Sequence, residues 1–241
     1  MHTDLSVFLT GEWRRNTSYL SGRRFSFSPG VEDGVSSVTV FRVGQDFTYR
    51  DSNQVFAVRN TLTGGVDLLG ATTNPNHLPD GRFFAWLGQF QWARRIGWLN
   101  SQMLLRTDVQ LSNAPLLGLE QFAVGGHATV RGYRENQLVH DQGVVASLEW
   151  RVPVWQDRFL DLSLAPFFDV GRSWNRERPT TSPKTIYSAG IALSAEAFGF
   201  LNAELSWAGN LRDVDNLTSS DLQDDGFYFS VSARFPRGSE E

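Results

Sequence analysis

The sequence contains no cysteine among its 241 residues, which excludes disulfide staples and thiolate metal sites. No apolar run approaches the ~20 residues of a membrane-spanning helix. Positive charge is not in excess either. A net charge of -4 argues against a nucleic-acid binder, which would show a basic stripe. The opening residues, Met1-His2-Thr3-Asp4, lack the basic and apolar regions of a secretory leader. His2, His77, His127 and His140 are scattered without metal-ligand spacing. Neither a G-x-S-x-G nucleophile elbow nor a phosphate-cradling Gly-Lys loop occurs. The residues therefore name no enzyme, no metal and no cofactor, and His127 and His140 read as polar loop residues.

What is present is alternation. Residues 83–96 place Phe84, Trp86, Phe90 and Trp92 on one face and Gln89, Gln91 and Arg95 on the other. Successive side chains of a strand point to opposite faces, so this segment is a strand with an apolar and a polar side. The same pattern predicts strands over 36–50, 53–69, 99–112, 144–155, 160–174, 186–198, 201–209 and 227–235. A tenth, 5–14, is broken by Phe8. Many run to roughly 10 residues or more, past the common length of about 5–6 and near the roughly 9–11 that a tilted strand needs to cross a bilayer core. Their polar faces carry Arg, Asp and Glu, which a dry core rejects unless paired and a water-filled lumen accepts. The 8 Trp and 18 Phe suit interfacial girdles, although a soluble core would use them equally well.

The links alternate as well. Residues 15–35, 70–82, 113–143, 175–185 and 210–226 are long and rich in turn formers, whereas 51–52, 97–98, 156–159 and 199–200 are tight. Long extracellular loops and short periplasmic turns are the asymmetry of outer-membrane barrels. The expected fold is all-β: an antiparallel transmembrane β-barrel, one domain over 1–241, with about ten strands. A soluble ligand-binding β-barrel would share the alternation. It would not explain the strand lengths, the charged second face or the order of the links.

The longest link, 113–143, holds Gln121-Phe122-Ala123-Val124-Gly125-Gly126 and then Val130-Arg131-Gly132-Tyr133-Arg134-Glu135-Asn136-Gln137-Leu138. A glycine pair before one arginine and a single glycine directly after it suggest a folded-back hairpin presenting a guanidinium, which grips a carboxylate bidentately. Asp169, inward on its strand, is the natural partner. Taken alone, these residues favour a solvated loop arginine and one lumen acid among several over a specific pair.

This loop resembles the signature loop of the POTRA-bearing outer-membrane translocator superfamily. There a Val-Arg-Gly-Tyr/Phe segment after a Gly-Gly pair folds into the lumen. Its arginine meets the aspartate of a Phe-x-Asp-x-Gly motif, matched here by Phe167, Asp169 and Gly171. The Arg-Glu-Asn-Gln-Leu continuation and Phe25-Ser26-Phe27-Ser28-Pro29-Gly30 resemble the haemolysin-activator transporters of two-partner (type V) secretion. Phe235 resembles the terminal aromatic that the barrel-assembly machinery reads during insertion.

The resemblance implies the C-terminal part of a sixteen-strand barrel in the bacterial outer membrane, with loop 113–143 folded into the lumen. The POTRA domains and the signal peptide are expected to be missing from this stretch. It further implies a partner exoprotein, an adhesin or haemolysin, moved to the cell surface, with the lipid bilayer as the other partner. A barrel-assembly or lipid-transport relative within the superfamily is the competing assignment.

Overall fold

In the computed structural model, residues 1–75, 77–214 and 225–234 are described. Ten long antiparallel strands dominate: β1 (His2–Thr17), β4 (Val35–Arg50), β5 (Gln54–Val66), β6 (Phe83–Ile96), β7 (Ser101–Ser112), β10 (Gln142–Gln156), β11 (Leu160–Trp174), β12 (Thr185–Ala197), β13 (Leu201–Asn210) and β14 (Phe227–Ala233). They form one meandering sheet in that order, with β1 and β14 at its two edges. Two small hairpins stand apart from it, β2 (Tyr19–Leu20) with β3 (Arg23–Arg24) and β8 (Phe122–Val124) with β9 (Leu138–His140). The fold is all-β and antiparallel.

Each hairpin of the meander reverses the chain, so the long links gather at one end of the sheet and the tight turns at the other. One tight turn is wider than the expected 97–98. Trp98–Asn100 makes a 3-10 turn with Leu99 and Asn100 at positive φ (55° and 49°), so β7 begins at Ser101 rather than 99.

The register sets two unlike faces. One carries Leu5, Leu9, Phe41, Leu62, Leu148, Phe168, Leu205 and Phe229, and these are exposed; Leu9 keeps 76% and Phe229 82% of its surface. Leaving this much contiguous apolar surface in water is unfavourable, whereas acyl chains accept it. The part of the other face nearest the long links is covered by residues 114–141, and most of the buried core lies between that segment and the sheet. Inward residues farther down, such as Arg59 and Gln91, stay exposed. Val38, Val40, Phe83 and Ala85 pack on Leu116 and Leu117. Val145 and Ile186 pack on Val124, Val130, Tyr133 and Leu138. Phe8 points to this inner face because its ring lies directly over Gly44, where a Cβ would clash with it. The interruption of the pattern in β1 is thus a packed side chain, not a weak strand.

Leu148 lies halfway along β10 on the apolar face. Leu148→Arg is expected to cost about 2–4 kcal/mol in a bilayer, the penalty for a cation near the midplane of a lipid-facing strand. Urea unfolding in lipid vesicles, followed by tryptophan fluorescence, reads this directly. An unchanged midpoint would mean that this face does not meet lipid.

Candidate functional site

The segment 113–141 leaves β7, crosses the inner face and returns to β10. Its first part is held by charge. Glu120 is gripped by Arg42 Nη2 at 2.8 and 2.9 Å and also pairs with Arg14, while Glu12 completes the group from β1 through both arginines. Gln110 Nε2 donates to the Glu120 carbonyl at 2.9 Å. The β8–β9 hairpin then carries the tip, Gly125 to Gln137, against β10, β11 and β12, with Gly132 reaching Ala208 of β13 and Tyr228 of β14.

At the tip, Arg131 is 7% and Asp169 0% exposed. Arg131 Nε donates to Asp169 Oδ2 at 2.8 Å and Nη2 to Oδ1 at 3.0 Å, and the Arg131 backbone N–H adds a third bond to Oδ2 at 3.1 Å. Nη1 reaches Glu149 Oε2 at 3.2 Å, and Nη2 reaches Ser147 Oγ at 3.3 Å. The Ser147 hydroxyl in turn donates to Asp169 Oδ1 at 2.6 Å. Phe167 lies under the guanidinium, 3.3 Å from its carbon to the ring centroid. Burial works against the Arg131 charge. The Asp169 carboxylate, with Glu149 behind it, outweighs burial and holds the guanidinium above its ordinary pKa.

The other motif residues do mechanical work around this pair. Gly171 sits two residues along β11 on the inner face, and a Cβ there would strike Val124 and Val130. Its bareness is what lets the tip lie against the strand. Gly132 adopts φ +86°, favourable only without a side chain, and its N–H donates to the Tyr228 hydroxyl at 3.0 Å. That hydroxyl donates onward to the Tyr133 carbonyl at 2.8 Å. The Tyr133 hydroxyl lies 2.9 Å from the carbonyls of both Tyr187 and Arg212. Burial raises the Tyr133 pKa, with its hydrogen bonds opposing, so it remains a neutral phenol. Val130, Arg131, Gly132, Tyr133, Phe167, Asp169 and Gly171 thus converge on one patch of the inner face. Phe235 lies outside the described residues.

A second anchor carries no sequence motif. Asp141, fully buried, accepts from the Leu116 N–H (3.0 Å), Gln121 Nε2 (3.0 Å), the Arg176 N–H (2.8 Å) and Arg178 Nη2 (2.9 Å). It joins both ends of the long segment to the link between β11 and β12. Its neighbour His140 is buried rather than a solvated loop histidine, with Nδ1 2.7 Å from Ser173 Oγ. Burial lowers its pKa; Asp141 opposes this, and Arg178 and Lys184 reinforce it. The one clue available in the sequence was the charged triplet Arg176-Glu177-Arg178 in a link facing the long loop.

Beneath the tip lies a cavity of about 450 Å3, bordered by Arg106, His127, Thr129, Arg131, Glu149 and Arg151. Its lining mixes these charged and polar groups with apolar ones from Val55, Trp92, Leu104 and Leu105. Among the described residues, no group of three His, Cys, Asp or Glu side chains is placed to hold a metal.

Residues 2–197 match the family described as Haemolysin secretion/activation protein ShlB/FhaC/HecB, a family of secretion proteins rather than a class of enzymes. No curated protein matches the sequence. Among solved structures, CdiB from Escherichia coli superimposes with a TM-score of 0.74 at 21% identity, covering 95% of this chain and 42% of that one. CdiB from Acinetobacter baumannii gives 0.67 at 16% identity, covering 96% and 39%. BamA from Haemophilus ducreyi, lacking POTRA domains 1–3, gives 0.56 at 14% identity, covering 86% and 45%. The chain therefore spans less than half the length of these barrels, whose likeness is one of fold. With four fifths of its length inside the family match, the chain is an outer-membrane β-barrel protein and belongs to the haemolysin secretion/activation (ShlB/FhaC/HecB) family.

Proposed function

We propose that this chain forms the C-terminal part of the barrel of a two-partner secretion transporter, a pore that passes one partner exoprotein of the adhesin or haemolysin kind across the outer membrane. The observation that carries the reading is the loop pinned to the inner wall through Arg131 and Asp169, in a chain of this family. Ten strands with free edges in lipid would leave rows of N–H and C=O groups without partners, which is costly, so further strands complete the wall in the working barrel. The single barrel domain with its loop in the lumen, the omission of POTRA domains from this stretch and the use of the barrel-assembly machinery for insertion belong to the same proposal.

No nucleotide-binding loop is present in the sequence, and folding of the exported chain outside the cell supplies a driving force that needs none. The pinned loop narrows the lumen and sets its shape. Deleting the gene is expected to remove one large exoprotein from the culture medium while leaving the other outer-membrane proteins at their normal levels, and reintroduction restores it. Loss of many outer-membrane barrels together would instead favour an assembly role. An unchanged set of exported proteins would overturn the transporter reading.

A further inference from the structure

At the long-link end of the sheet, beside β1, lies a cluster that neither the loop motif nor the inner wall uses. Along the outward face of β1, Leu5, Val7 and Leu9 lead to Trp13, and Arg15 follows two residues later on the same face. Trp13 Nε1 donates to the Leu69 carbonyl at 3.2 Å, and Thr39 Oγ1 to the Leu68 carbonyl at 2.8 Å. These bonds hold Leu68 and Leu69 beside the tryptophan, and both leucines stay exposed. Just beyond Arg15, the β2–β3 hairpin presents Tyr19, Leu20, Arg23 and Arg24, followed by Phe25 and Phe27, whose rings meet edge to face at 4.8 Å.

These exposed rings sit on a braced platform. Ser18 Oγ donates toward the carbonyls of Phe25 (2.8 Å) and Gly34 (3.1 Å), and the Gly34 N–H donates to Ser26 Oγ at 3.0 Å. Asn74 Nδ2 ties Gly30 to the neighbouring link at 2.8 Å. A braced backbone that leaves Tyr19, Phe25 and Phe27 at the surface is built to present them. Arg15, Arg23 and Arg24 are exposed, and none forms an ion pair among the described residues. Glu32 and Asp33 in the same link do not pair with them, nor does Asp67 beyond β5.

We propose that this rim binds the phosphate groups of an anionic lipid in the outer leaflet. Trp13, Leu68 and Leu69 would sit at the acyl boundary, and Arg15, Arg23 and Arg24 would face the headgroup. Guanidiniums bind phosphate with strong charge-assisted bonds, and long cationic and aromatic side chains favour the interface between acyl chains and headgroups. The cluster continues the exposed apolar face, which is the surface already assigned to lipid, so its occupant is a membrane component rather than a soluble ligand. The inference rests on the outer-membrane placement and adds a lipid class to it.

The test is reconstitution of the full-length transporter that contains this chain into phosphatidylcholine vesicles with and without a bis-phosphorylated diglucosamine lipid, reading thermal unfolding and lipid retained after detergent extraction. The wild type is expected to be stabilised by the phosphorylated lipid. The Arg15→Gln/Arg23→Gln/Arg24→Gln variant is expected to bind it on the order of 100-fold more weakly, about fivefold per arginine. The corresponding triple Lys variant should keep most of the effect, and Arg158→Gln at the opposite rim should keep all of it. Undiminished binding by the triple Gln variant would overturn the proposal. So would equal stabilisation by the dephosphorylated lipid, or by inorganic phosphate alone. Failure of the wild type to insert at all would instead tell against the outer-membrane placement.

Discussion

Replacing Arg131 by alanine is expected to abolish export of the partner exoprotein while leaving the barrel inserted. Removing the guanidinium strips Asp169 of its two side-chain bonds and leaves a fully buried carboxylate with the Ser147 hydroxyl and one backbone N–H. Breaking a buried ion pair by deleting one partner costs about 3–5 kcal/mol. That is enough to release the tip from the wall at least 100-fold more often, since 1.4 kcal/mol is tenfold. The strand ladders and the lipid-facing side chains do not touch Arg131, so insertion has no reason to fail.

Conservative changes separate charge from shape. Arg131→Lys keeps the charge but cannot make the two-pronged grip on Asp169 while also reaching Glu149 and lying flat on Phe167, so it should export poorly. Because both members act as one unit, Arg131→Ala/Asp169→Ala should lose less than the two single changes added together. The readouts are exported protein in the medium and the heat-dependent gel shift of the folded barrel. Normal export by Arg131→Ala in a correctly folded barrel would remove the pinned loop from the mechanism.

The fold could be read almost completely from period-two alternation because both faces of this sheet are chemically demanding. Lipid requires one side to be apolar, and the lumen allows charge on the other, so every strand announces its register. The pattern erred where local packing overrode it. Phe8 faces inward over the bare Gly44, and Leu99 and Asn100 bend into a turn instead of opening β7. The site divides along the same line. Arg131 and Asp169 lie in short motifs that a single strand or loop can carry. The Glu120 group draws on β1, β4 and the long segment, and Asp141 on two separate links. No local periodicity marks residues that meet only after the whole sheet is assembled.

Asp141→Ala should therefore have the largest effect on loop order of any change outside the motif. Four donors converge on this fully buried carboxylate, and one of them, the Leu116 N–H, lies in a segment whose side chain is itself fully buried. Alanine leaves them without an acceptor and Arg178 without its partner, again a penalty of about 3–5 kcal/mol. Because Asp141 holds the links rather than the strands, the cost should appear as local opening. Backbone hydrogen exchange in residues 113–121 and 175–184 should accelerate by two to three orders of magnitude, while the middle of β10 and β11 stays protected. Asp141→Asn keeps an acceptor oxygen for some of the donors but loses the charge that faces Arg178, so an intermediate acceleration is expected. Arg178→Ala leaves the fully buried Asp141 carboxylate without its counter-ion, so it should accelerate exchange about as much as Asp141→Ala. If exchange in these links is the same in Asp141→Ala as in the unaltered protein, the buried carboxylate does not fasten them, and the long segment is held by its tip and the Glu120 group.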